Sequence, residues 1–273
     1  MTIPPVEHVV DLAAPADVGL YAASTLIDTP PTRFYGGVRV WPTNCEPAAG
    51  AWPADPCADT GDLEKDGTRP GPGEPFDPIV VWGYDECAPD EPDAAITERA
   101  TANMRRGERP IVEAAFAERA LSDAADTITA ATVVAGVSAA EAALAPLLTR
   151  GVLHADPALA AYLDTLGLIQ RSGNVLRSPL GHRWSFGSGY RDADGFTPST
   201  IIATGPVTVW RDAIAANTAL SPHEHVRVAV AERTVLPWYE CAPVAVQIDA
   251  DGGGPVAMRP GDYPGAQTFP GTE

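Results

Sequence analysis

Hydrophobic and polar positions change period along this chain, and the longest regular stretch is helical. From Asp90 to about Arg119, Ile96, Ala100, Met104, Ile111 and Ala115 share one face, while Glu98, Arg99, Arg105, Arg106 and Arg109 fill the rest. Asp90 or Glu91 is placed to cap the helix, and Pro92 suits its first position, where a missing N–H is no loss. Pro110 removes one backbone bond and its ring collides with the preceding turn, so a kink or a split is expected there. A continuous helix of about 28 residues would be a rod of about 40 Å. That length suits a helix lying along a flat plate.

Strand patterns flank it. Phe34–Trp41 (FYGGVRVW) and Pro78–Tyr84 (PIVVWGY) read as two strands of a long hairpin. The connection between them, Pro42 to Asp77, is about 36 residues rich in Pro, Gly and acids, a length usually found at functional or interfacial loops. Residues 1–34, broken by Pro4, Pro5, Pro15, Pro30 and Pro31, read as an extended arm. After the helix, Thr127–Val137 is a small apolar strand or helix end. Ser138 and Glu141 form a capping box for a helix reaching Thr149 or Arg150, ended by Gly151. Val152–His154 is a short buried strand, and Asp156-Pro157 starts a helix that Gly167 stops. A hairpin turns at Gly173-Asn174. Phe186–Tyr190 continues as a glycine-punctuated strand, with Gly187 and Gly189 as bends. Ser199–Ala203 and Val207–Arg211 form a strand pair about a Gly205-Pro206 turn. His225–Trp238 alternates as a long strand, Pro243–Ile248 is a last one, and residues 251–273 are a flexible tail. The fold class is α+β.

Composition narrows the role. The chain has 273 residues, 45% of them hydrophobic, enough for a real core; its net charge of −18 argues against a broad electrostatic grip on nucleic acid or an anionic membrane. From Cys45 to Asp93, thirteen acids face only Lys65 and Arg69, a net of −11 that reads as a solvated acidic face. No run approaches 18 apolar residues, so no spanning helix is expected, and MTIPPVEHVV lacks a signal-peptide pattern; synthesis in the cytoplasm is expected. Cys45, Cys57, Cys87 and Cys241 form no CxxC pair and are expected to be thiols; a late disulfide within the region of Cys45, Cys57 and Cys87 stays open.

Candidate chemistry is thin. His223 and His225 offer two ring nitrogens with no third ligand, His154 reads as a satisfied core histidine, and Ser185 and Ser188 lack the strand–turn–helix setting of a nucleophile elbow. No phosphate loop or dinucleotide fingerprint appears. An enzyme is therefore the weaker reading, and no cofactor or metal is expected.

The order of elements resembles the major capsid proteins of tailed bacteriophages, the Hong Kong ninety-seven fold that encapsulin shells share. GERPIVEAAF is similar to the spine-helix end of actinobacteriophage capsid proteins. LIQRSGNVLRSPLGHRWSFGSGY and IIATGPVTVWRDA are similar to their axial strands, and VRVAVAERTVLPWYECAPVAVQI to their last strands. The resemblance implies an N-terminal arm over 1–34, an E-loop hairpin over 35–89, and a peripheral domain over 90–136 and 221–250 with its spine helix at 90–119. It implies an axial domain over 137–220. It also implies a subunit of an icosahedral head, forming pentamers and hexamers around double-stranded DNA, located in the virion and assembled in the host cytoplasm. Partners would be copies of itself, a portal protein and a separate scaffolding protein, since only a short arm precedes the hairpin. Trp41, Trp52, Phe76 and Trp82 are expected as intersubunit anchors, with Arg105, Arg106, Glu108 and Arg109 pairing across subunits. Lysine–asparagine cross-linking is not expected, because Lys65 is the sole lysine. The alternatives are an encapsulin-type compartment, or an acidic soluble enzyme or binding module with the Pro/Gly loop as its lid.

Overall fold

The computed structural model describes residues 13, 18–45, 49–55, 57–67, 69–87, 92–147, 149–221 and 225–249. In it the long helix, α2 (Asp93–Asp123), has 31 residues and runs unbroken through Pro110, with Pro92 as its N-cap. Asp90 and Glu91 lie outside the described residues. A proline inside a helix costs about 3 kcal/mol; here burial on both sides of it holds the helix together. The buried positions are Ile96, Ala100, Met104, Glu108, Val112, Phe116 and Ala120, joined by Glu113 and Ala117. Ile111, expected on the inner face, is 46% exposed. Each four-residue step advances about 40° around the axis, so from Ile96 to Ala120 the buried stripe turns through about 240°. The helix is therefore gripped on different sides along its length.

Its first half lies on a five-stranded sheet. The spine of that sheet is β11 (Val226–Tyr239), antiparallel to β2 (Ile79–Cys87) on one edge and to β10 (Ala215–Ser221) and β9 (Val207–Arg211) on the other. A short strand, β1 (Thr25–Ile27), adds parallel to β9. Val81, Gly83, Ala229 and Ala231 face the helix, and their small size permits close approach. β10 carries no apolar alternation and almost all of it is exposed, so the edge of β11 and not its own pattern makes it a strand.

A seven-stranded sheet stands apart from the first. Its order is β3 (Thr127–Ala130), β12 (Val244–Ile248), β8 (Thr200–Thr204), β4 (Val152–Ala155), β7 (Arg183–Phe186), β6 (Val175–Arg177) and β5 (Gln170–Ser172). Helices α3 (Val133–Leu144) and α4 (Pro157–Thr165) complete the second core, packing Val137, Ala140, Leu144, Leu159 and Leu163 against Leu153, Ile201 and Val246. Thr132, not Ser138, caps α3 by accepting from Ala135 N, and Glu141 instead accepts from the Leu180 N–H at 2.8 Å. Asp156 caps α4 as expected, and Gly173 (φ +61°) turns the β5–β6 hairpin.

Other expectations change. β8 and β9 are not a pair: the Gly205-Pro206 turn carries the chain from the larger sheet to the smaller. The β11–β12 corner carries it back, so β3 and β12 (with α3 beside them) belong to the larger sheet's core. The Phe34–Trp41 strand is absent; Phe34–Gly36 is a 3-10 turn, and a single bridge, Val38 to Phe76, closes the loop.

The arm changes as well. Its described residues from Val18 on are folded into the body: a four-residue helix α1 (Leu20–Ala23) and β1. Val18 O accepts from Phe186 N at 2.8 Å, Ala23 O accepts from Arg183 Nη1 at 3.2 Å, and the Leu20 N–H donates to Glu113 on α2 at 3.1 Å. Glu113 is buried and also accepts from the backbone of Ser188 and Gly189. Burial raises its carboxyl above the usual range, opposed by these backbone bonds and by Arg109. A side chain at Gly189 would strike Pro110 O at 2.0 Å, so Gly187 and Gly189 are contact points with α2, not strand bends.

Candidate intersubunit surface

The loop from 39 to 75 is anchored at its root, and its described residues pair with no strand. Phe76 is buried, edge-on to Tyr239 at 4.8 Å and under the Arg119 guanidinium at 4.7 Å. Arg119 also donates to Pro75 O at 2.8 Å and pairs with Asp123 at 2.7 Å. At the other end, the Glu240 carboxylate accepts from the Thr43 and Asn44 N–H groups and from Asn44 Nδ2. Partial burial raises this carboxyl and the bonds from Asn44 and Thr43 lower it more, so it sits below its ordinary value. A disulfide joins Cys45 to Cys241. The expectation of thiols at all four cysteines is therefore corrected. The partner of Cys45 is 196 residues away and was brought to it by the fold, not by neighbourhood in sequence. Cys57 and Cys87 carry the remaining thiols.

Beyond the root, the described part of the loop carries exposed aromatic rings. Trp41 is 52% exposed and Trp52 41%, with a cation over each ring: Arg69 at 4.9 Å and Lys65 at 4.7 Å. The outer face of β2 adds Val80, Trp82 and Tyr84, alternate residues all exposed, with Trp82 at 62%. Opposite them on β11 stand Thr234, Glu232 and Val230, so the row lies on the side of the sheet away from α2. An apolar row of this kind on a sheet face marks an interaction surface.

The charged residues of α2 divide. Arg105 and Arg106 are exposed, with Arg106 bonded to Asn103 one turn away, and Arg109 lies over the Tyr21 ring at 5.5 Å. Glu108 is only 5% exposed and accepts from Tyr21 at 2.9 Å, Arg233 at 3.4 Å and Arg211 at 3.5 Å. Burial first, then the Glu108 charge, pushes the Tyr21 hydroxyl up, so it stays protonated and donates. Phe76 and Glu108, expected as intersubunit contacts, are instead buried and make these contacts within their own chain, whereas Trp41, Trp52, Trp82, Arg105 and Arg106 are exposed.

One cluster has the residue types of an active site. His154 Nδ1 meets Tyr190 Oη at 2.9 Å, Ser185 Oγ meets the same hydroxyl at 2.5 Å, and His154 Nε2 meets Thr204 Oγ1 at 2.9 Å. Ser185, His154, Tyr190 and Thr204 are each 0% exposed. No substrate reaches a hydroxyl that solvent does not, so the cluster fastens β4, β7 and β8 together. Burial drives the His154 pKa down to about 3. An unfolded histidine titrates near 6.5, so between those values the unfolded chain binds a proton that the folded chain refuses. Stability is full above pH 6.5 and is lost as the pH falls. Going from pH 6.5 to 4.5, the wild type should lose about 2–3 kcal/mol more than His154→Gln in denaturant titrations. Glu113 acts with the opposite sign in both proteins and cancels in the difference.

Among the described residues no group of three His, Cys, Asp or Glu side chains is placed to hold a metal ion, and no helix is long and apolar enough to cross a membrane. His223 lies outside the described residues.

No protein-family model matches the sequence, and no curated protein matches it. Solved structures do match in fold. The capsid of the native GTA particle aligns at TM-score 0.50 and 11% identity, covering 91% of this chain and 96% of that one. The SrpI encapsulin of Synechococcus elongatus PCC 7942 aligns at TM-score 0.51 and 8% identity, covering 89% and 92%. The mature capsid of bacteriophage PhiM1 aligns at TM-score 0.49 and 13% identity, covering 92% and 93%. The fold is the Hong Kong ninety-seven capsid fold, spread over nearly the whole chain.

Proposed function

We propose that this chain is the wall subunit of an icosahedral phage head, its copies joining as hexamers and pentamers around double-stranded DNA. The observation that carries the reading is the loop from 39 to 75, rooted firmly and offering exposed tryptophans, on a body whose fold is that of container shells. In this reading the loop crosses onto a neighbouring copy, where Trp41 and Trp52 find the burial their own subunit denies them, and the Val80–Trp82–Tyr84 row receives a neighbour in turn. The five-stranded sheet with α2 serves as the peripheral domain and the seven-stranded sheet as the axial one. The role is structural, without catalysis. A portal protein and a separate scaffold complete the assembly in the host cytoplasm, and the net charge of −18 leaves packaged DNA free to slide.

The encapsulin match favours one second reading, a compartment enclosing protein cargo. Size-exclusion chromatography and electron microscopy of the purified protein test both. Megadalton particles, or capsomers about five- to sixfold the chain mass, are expected, and a stable monomer at all concentrations would overturn either reading. Nuclease-protected DNA inside particles from infected cells decides for the head, and co-purified protein cargo for the compartment. Trp82→Ser should leave the monomer's denaturation midpoint within about 0.5 kcal/mol of wild type while abolishing particles.

A further inference from the structure

The Cys45–Cys241 bond sits where the two sheets exchange chain. Cys241 belongs to the β11–β12 corner that leads from the smaller sheet to the larger. The reverse crossing at Gly205 runs against that corner, so close that a side chain there would meet Glu240 O at 2.0 Å and Cys241 Sγ at 3.3 Å. The third party is the root of the loop, residues 43–45, which the Glu240 carboxylate already holds through three N–H groups. These hydrogen bonds do not need the disulfide. In the bonded pair the Cα atoms of Cys45 and Cys241 are 5.6 Å apart, the ordinary spacing of a disulfide, so the root held by Glu240 meets the corner without distortion.

We propose that the Cys45–Cys241 pair is a redox-operated bolt: open as two thiols in the reducing compartment of synthesis, and closed afterwards to fix the loop's root to the crossing between the sheets. Closure is thiol–disulfide exchange with a low-molecular-weight disulfide such as oxidised glutathione. The thiolate of one cysteine attacks the small disulfide and releases one small thiol. The second cysteine then displaces the other, forming the protein S–S bond. Two electrons pass from the two cysteine sulfurs to the small disulfide, which leaves as two thiols. Glu240 is a positioning residue that presents Cys45 to Cys241, and Cys57, exposed on the same loop, stays outside the reaction. The proposal concerns single chains and does not rest on the shell reading.

Lysis into a thiol-reactive alkylating reagent, followed by mass spectrometry, should find four alkylated cysteines in freshly made protein. After oxidised glutathione, only Cys57 and Cys87 should be alkylated. A pair already bonded in the reducing lysate, or one linking Cys45 to Cys57, overturns the proposal. Glu240→Ala removes all three of these hydrogen bonds and should slow closure at least about tenfold, the effect of losing even one hydrogen bond to a charged group; an unchanged rate removes Glu240 from the device. Trypsin reads the mechanical consequence at Lys65, since Pro70 follows Arg69 and blocks cleavage there. Cleavage should be several-fold faster in reduced than in oxidised full-length protein and equally fast in reduced protein and Cys45→Ser. Equal cleavage in both redox states refutes the bolt, whatever the assembly state.

Discussion

Replacing Gly83 by alanine should lower the denaturation midpoint more than any other single-methyl addition in the chain's described strands. The new Cβ would stand 2.2 Å from Met104 N, 2.4 Å from Ala100 O and 2.7 Å from Met104 Cα, all backbone atoms of α2. No rotamer change relieves such a clash, so helix and sheet must separate and open a gap along the whole contact. Overpacking usually costs about 1–3 kcal/mol, and a backbone-to-backbone collision belongs at or above the top of that range. The fall in melting temperature should be about 10 °C, at about 2–4 °C per kcal/mol for a chain of this size. Gly107→Ala is the matched control, on the same helix but with its nearest outside contact, Ile111 Cδ1, at 3.4 Å. There the helix propensity gain of about 0.5–1 kcal/mol should dominate and stabilise. Differential scanning calorimetry of the two variants checks both signs at once; a harmless Gly83→Ala would mean that α2 does not rest on β2.

Glu108→Leu should cost about 3–5 kcal/mol, the usual penalty for removing one partner of a buried ionic cluster. The cost lies in what remains. Arg233, with 13% of its side chain exposed, loses its carboxylate while its Nε already has no hydrogen-bond partner among the described residues. Arg211 keeps Asp28, and Tyr21 loses its acceptor. The companion variant Glu108→Leu/Arg233→Leu should recover more than half of the loss, because the stranded charge goes with its partner. Urea midpoints of wild type, both single variants and the double variant decide it. Additive losses would show that the cluster is not coupled.

These two sites illustrate what the sequence discloses. The existence of α2, the strand at β11, the Asp156 cap and the turn at Gly173 follow from local period and turn chemistry. Glu108 was hidden by its charge, although it continues the four-residue spacing from Met104 to Val112 that the buried stripe obeys. Gly83 shares the inward parity of Val81, and a glycine on the packed side of a strand signals close approach. Gly187 and Gly189 gave no such signal, because their partner, α2, is remote in the chain. The same holds for the pairing of β10, for the crossing at Gly205 and for Cys45 with Cys241, each made by residues that only the fold brings together. Exposure of the loop's aromatics was legible only in part. Large aromatics in an acidic, proline-rich loop pointed outward, but Phe76 at the root is inward because Tyr239 and Arg119 close over it.

The revolving stripe on α2 restricts how this molecule can deform. A rod clasped from one flank near Met104 and from another near Phe116 resists rolling about its own axis, since any roll that relieves one grip tightens or breaks the other. Torsional compliance is thereby excluded from the middle of the subunit. Bending falls to the thin places instead: the Val38–Phe76 bridge and the two strand-to-strand crossings.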